Sequence, residues 1–172
     1  MPLLKSVNLT LKNSLNSLNI MKNELINESL IEDSFTYDEY RLMVTDFVAH
    51  GKTSGPKQSE ELAHYTKLNN QRMSRLDKTI QLIGKTINLM EGLKGKYVWL
   101  VITEAWCGDA AQNLPYLNKM AELNKNIQLR MIYRDENPEI MDLYLTNGSR
   151  SIPKLVCLNW PNLDEVFTWG PR

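Results

Sequence analysis

The 172-residue chain is long enough for one domain with a buried core, and its composition is ordinary for a globular protein: 42% apolar and 23% charged, with 8 Gly and 7 Pro. The 20 basic and 20 acidic residues cancel, so no basic surplus points to nucleic acid or acidic lipid, and no apolar run approaches the ~20 residues of a membrane span. Two cysteines, Cys107 and Cys157, make neither a disulfide framework nor a zinc site, so the expected compartment is the reducing cytoplasm.

Residues 1–33 carry Leu4, Val7, Leu11, Leu15 and Leu18 at helical spacing. Their Asn and Ser content makes a weak helix, and Met21 reads as an alternative start. Asn and Ser interrupt any apolar run, so this is no secretory signal. Thr36 and Glu39 form a capping box, with Phe35 and Tyr40 as a hydrophobic staple. A helix is expected from Tyr37 to His50, stopped by Gly51. Gly51-Lys52-Thr53 is not a phosphate loop, because Asp46 stands where the first glycine is needed and a helix precedes it. Ser59 caps a long helix reaching the Gly92–Gly95 region, with Gly84 as a bend or break. His50 and His64 are not at metal-ligand spacing. Residues 1–95 therefore read as a helical extension without chemistry of its own.

From Lys96 strands and helices alternate. The expected strands are Tyr97–Thr103, Ile127–Tyr133, Lys154–Leu158 and Glu165–Trp169, the last antiparallel to its neighbour. Helices are expected over Gly108–Asn124 and Glu139–Thr146. Between the first strand and its helix lies Thr103-Glu104-Ala105-Trp106-Cys107-Gly108-Asp109-Ala110. A cysteine at a helix N-terminus is easily ionised, because free N–H groups and the helix dipole favour a thiolate.

These residues resemble the thioredoxin family. Trp106-Cys107-Gly108 matches the start of its Trp-Cys-Gly-Pro-Cys motif. Pro115 falls at its helix-kinking proline, Asn137-Pro138 at its Asn-Pro turn, and Ile152-Pro153 at its cis-proline. The resemblance spans about residues 96–169 and implies an α/β thioredoxin-like fold: a three-layer domain with a mixed central sheet over 96–172, behind the helical region 1–95. The whole chain looks like bacterial members with a helical extension and a Trp-Cys-Gly-Asp-Ala motif. Asp109 replaces the family's proline, Ala110 its second cysteine and Val101 its buried aspartate. The chain stops at Trp169-Gly170-Pro171-Arg172, where the family continues into a last helix. Either the N-terminal helices cover that face of the sheet, or Gly170-Pro171-Arg172 is a connection to more chain.

The resemblance implies a nucleophile, Cys107, and a substrate groove of Trp106, Gly108, Asp109, Ile152 and Pro153. Ser151 and Ile152 would offer backbone to an extended peptide, flanked by Arg150 and Lys154, with Glu104 also along the groove. Cys157 lies four residues beyond Pro153, ~13 Å along a strand at ~3.3 Å per residue, too far for a disulfide partner. It reads as a buried strand residue. Cys107 therefore needs an external thiol, either a protein or a low-molecular-weight compound, to finish a disulfide exchange. Asp109 opposes its ionisation, so its pKa is expected above that of a dithiol enzyme but below that of a free thiol. No metal or other cofactor is implied. Two alternatives stand beside the monothiol oxidoreductase: a redox-inactive thioredoxin-fold binding module, and a peroxidase-type thiol using Thr103 and Arg150. Substrate, reductant and oligomeric state are not specified.

Overall fold

The computed structural model describes residues 22 and 24–171; the amphipathic spacing over residues 4–18 lies outside them. Helix α1 (Glu28–Asp33) is capped by Asn27, whose side chain accepts from the Leu30 N–H at 3.0 Å. Helix α2 (Tyr37–Ala49) opens on the capping box: Glu39 accepts from the Thr36 N–H at 2.8 Å, and the Thr36 hydroxyl accepts from the Glu39 N–H at 3.3 Å. Gly51 ends it with φ of +64°, a conformation that costs glycine little.

The long helix expected after Ser59 is two helices. Helix α3 runs Glu60–Thr79, and α4 runs Gly84–Gly92. Ile80 turns out into extended backbone. A straight helix over the whole stretch would run on the order of 50 Å at ~1.5 Å per residue, longer than the sheet it must cover. The Asn124 side chain stops α4 by donating to the carbonyls of Met90 at 2.7 Å and Leu93 at 2.9 Å, groups that a helix end leaves without partners.

The sheet has the order β2-β1-β3-β4. Strand β1 (Tyr97–Thr103) is buried from Val98 onward, as a central strand covered on both faces must be. Strand β2 (Ile127–Tyr133) pairs parallel to β1, while β3 (Lys154–Asn159) and β4 (Glu165–Trp169) follow in antiparallel pairing. Between β1 and β2 lies α5 (Gly108–Ala121), which contains Pro115 and ends three residues before the expected Asn124. Helix α6 (Pro138–Asp142) is also shorter than expected. Asn147 and Gly148 both have positive φ, and Thr146 pairs with Ser149 across them. That tight turn takes its flanking residues out of the helix.

The helical part closes the β2 edge of the sheet. Phe35 exchanges two backbone hydrogen bonds with Met131, at 2.9 and 2.8 Å. The rings of Phe35, Tyr40 and Phe47 surround Tyr133 at 5.5, 6.0 and 6.3 Å. Helix α2 packs on α3 and β2, and α3 packs on α5. Neither covers the face beyond α5. There Trp99, Leu155, Phe167 and Trp169 line an apolar recess of about 320 Å³ with Tyr116 and Met120. No described helix is long and apolar enough to cross a membrane.

Candidate functional site

Strand β1 delivers Glu104, Ala105 and Trp106 into a turn, closed by the Cys107 N–H donating to the Glu104 carbonyl at 3.1 Å. Cys107 is the N-cap of α5: its sulfur accepts from the Ala110 N–H at 3.4 Å. The thiol donates to the Ile152 carbonyl at 3.5 Å. The Ile152–Pro153 bond is cis, and both residues are buried. Cys107, Gly108, Ile152 and Pro153 are thus brought together. Asp109 is exposed in the first turn of α5.

Trp106 is half-buried, with the Arg134 guanidinium over its ring at 4.9 Å. Arg134 donates to Asp135 at 2.7 Å and to the Arg150 carbonyl at 3.2 Å. The turn after β2, the approach to Pro153 and the cysteine loop therefore meet at one guanidinium.

Cys107 is only 8% exposed, and its pKa is set by competing influences. Burial is the largest and pushes the thiol up. The N–H groups of Ala110 and Asp109 pull it down, the Asp109 charge pushes it up, and Arg134 pulls it down. The net direction is upward, which corrects the expected value below that of a free thiol. The helix N-terminus acts as foreseen, but desolvation of the sulfur outweighs it. Alkylation of Cys107 by iodoacetamide should therefore still be accelerating above pH ~8.5, the ordinary thiol pKa. Quenched labelling read by mass across the alkaline range checks this, and a plateau at or below neutral pH is the contrary result.

Other sequence expectations shift in position. Glu104 does not line the groove; it is fully buried. Its carboxylate accepts from the Asp135 N–H at 2.9 Å and from the Ser54 hydroxyl. Lys154 is buried and donates to the Thr146 hydroxyl at 2.7 Å. Arg150 is held by Asp142 through two bonds of 2.7 and 2.6 Å. Neither cation flanks the groove as a free charge, and the Thr103 hydroxyl is fully buried, so the peroxidase arrangement gains no support. Val101 is buried in β1. Cys157 is buried in β3 opposite Trp99, a free thiol whose pKa burial pushes up to about 11.

The sequence reading gave the helical part no chemistry, yet it pins the cysteine loop. The Ser54 hydroxyl accepts from the Ala105 N–H at 2.8 Å. The Asn69 side chain donates to the Ala105 carbonyl at 3.0 Å and accepts from Arg72 at 3.1 Å. Arg72 in turn lies beside Gly108, the residue after Cys107: a Cβ there would sit 3.4 Å from its Nη1. A signal for Asn69 existed. It continues the buried series Thr66, Asn69, Met73 and Leu76 on α3, and a polar side chain on such a face needs a partner.

A family model described as Thioredoxin matches residues 55–172. The chain belongs to the thioredoxin family. The match starts before α3, so it takes in Asn69 and Arg72 as well as the sheet. Two solved structures resemble this thioredoxin-family chain. One is an HIV epitope-scaffold, at 20% identity and a TM-score of 0.59, the match covering 86% of this chain and 78% of that one. The other is a protein of unknown function from Pseudomonas aeruginosa, at 18% identity and a TM-score of 0.55, with the same coverage. At these identities they show a shared fold. No curated protein matches the sequence. Among the described residues no three His, Cys, Asp or Glu side chains group in a way that could hold a metal ion.

Proposed function

We propose that this protein is a monothiol thiol-disulfide oxidoreductase of the cytoplasm. Its nucleophile is Cys107, and an external low-molecular-weight or protein thiol is the resolver. The Cys107 thiolate attacks one sulfur of a disulfide, forms a mixed disulfide and expels the other sulfur as a thiolate. A second external thiolate then attacks the substrate-derived sulfur, forms a new disulfide and releases Cys107. The observation that carries this reading is the sulfur held between the Ala110 N–H, at 3.4 Å, and the Ile152 carbonyl, at 3.5 Å, beside Pro153. Trp106 supplies an apolar wall for the substrate. The helical part up to residue 95 and the thioredoxin-like part from 96 act as one unit in this reading, because Ser54 and Asn69 hold the loop that carries the nucleophile.

A redox-inactive binding module is the second reading. It is favoured by the buried sulfur with its raised pKa and by Ala110 in place of a second thiol. Turnover of a small mixed disulfide with excess external thiol decides between them. The oxidoreductase reading expects turnover in the wild type and in Cys157→Ser, and none in Cys107→Ser. Absence of any wild-type turnover or mixed-disulfide adduct supports the binding module.

A further inference from the structure

Three arginines belong to the segments that frame the cysteine loop, and two are ion-paired. Arg134 pairs with Asp135, and Arg150 pairs with Asp142. Arg72 pairs with no carboxylate among the described residues. Its hydrogen bond goes to the neutral side chain of Asn69 at 3.1 Å, so no bound carboxylate among the described residues offsets it. Asn69 is fully buried and bonded to the Ala105 carbonyl, which fixes the base of Arg72 against the cysteine loop. The guanidinium then lies beside Gly108, its Nη1 3.4 Å from where a Cβ would stand. Asp109, one residue further and exposed, would repel an anion, so an anionic reactant here needs a compensating cation.

We infer that Arg72 is a specificity-determining residue of the site, selecting as resolver a low-molecular-weight thiol that carries a carboxylate. This rests on the monothiol reading above. The carboxylate bonds the Arg72 guanidinium while the thiol sulfur faces the substrate-derived sulfur of the Cys107 mixed disulfide. An arginine suits this because its fork matches a carboxylate with two parallel bonds. In exchange the Cys107 thiolate gains a bond to one sulfur of the small disulfide, and the other sulfur leaves as a thiolate. In resolution the incoming thiolate attacks the substrate-derived sulfur of the mixed disulfide, forms a new disulfide with it and expels the Cys107 thiolate.

The test compares three symmetrical disulfides on the full chain: dithiodipropionate, which is dianionic; hydroxyethyl disulfide, which is neutral; and cystamine, which is dicationic. Formation of the Cys107 adduct is followed by mass. Arg72→Gln should slow dithiodipropionate about tenfold or more, the loss expected for one hydrogen bond to a charged group. The neutral rate should stay within about twofold, since nothing charged is lost to it. Arg72→Lys should retain most of the anion preference, and added salt should erode it in the wild type. An unchanged dithiodipropionate-to-neutral ratio in Arg72→Gln overturns the proposal. So does an equal slowing of all three reagents in both variants, which marks Arg72 as structural. If the neutral disulfide gives no Cys107 adduct in the wild type, the monothiol reading itself fails and takes this inference with it.

Discussion

Glu104→Ala should destabilise the protein by about 3–5 kcal/mol, a large share of the ~5–15 kcal/mol that holds a typical domain together. The carboxylate joins three segments distant in sequence: the loop at Ser54, the cysteine loop to which it belongs, and the turn at Asp135. Removing it leaves the Asp135 N–H without its acceptor, the Ser54 hydroxyl without its own, and a void in a fully buried place. Glu104→Gln should cost only about 1 kcal/mol, because the amide oxygen still accepts and Ser54 can accept from the amide nitrogen. Urea unfolding of both variants measures the contrast. Equal losses in both would show that the charge matters more than the bonding.

The same residue sets a pH dependence. Burial raises the Glu104 pKa above its ordinary value, against the lowering effect of the Ser54 and Asp135 bonds. A carboxyl with a raised folded-state pKa gives stability that is complete below its unfolded value, ~4.3. That stability is lost as pH rises through the folded value, because the unfolded chain gives up the proton first. Wild type should therefore lose stability relative to Glu104→Gln as pH climbs from ~4.3 into the window above. The difference between the two proteins cancels exposed carboxylates such as Glu39 and Asp142, whose pKa values are lowered and whose contributions run the opposite way. A difference that is flat with pH would mean that Glu104 is ionised throughout.

Ala110→Cys should convert the monothiol site into a dithiol one. Ala110 is fully buried, and its N–H already faces the Cys107 sulfur. Residues three apart at a helix start are neighbours. A thiol there is intramolecular, with an effective concentration in the millimolar range or above. At external thiol near ~0.1 mM, release of a mixed disulfide should therefore accelerate about tenfold or more. Reduction of a protein disulfide such as insulin's, followed by turbidity, should appear in this variant and be abolished by adding Cys107→Ser. A variant that folds, forms the mixed disulfide and still releases it no faster would mean that the second sulfur cannot reach the first.

Much of this molecule was legible from local pattern. The capping box at Thr36 and the apolar run of β1 each act over a few residues, where propensity and hydrogen bonding are decided by neighbours in sequence. The same holds for the seat of Cys107, since a strand that hands over to a helix must leave N–H groups free at that point. The break in the long helix was legible at Gly84, which opens α4, but not its start four residues earlier at Ile80. A long apolar stripe looks the same whether one helix or two present it, and the choice depends on the size of the sheet below.

By itself, the sequence determined the α/β order of elements, the seat of Cys107 between strand and helix, and the lack of a second cysteine beside it. Tertiary structure alone decided the surroundings of Cys107. Glu104 is bound from Ser54, Ala105 is held by Asn69, and Arg72 reaches Gly108. These partners are 50, 36 and 36 positions apart, the last by 108 less 72. The sulfur's pKa direction followed in the same way, because desolvation depends on what packs over an atom, and periodicity along a chain records only which side it faces.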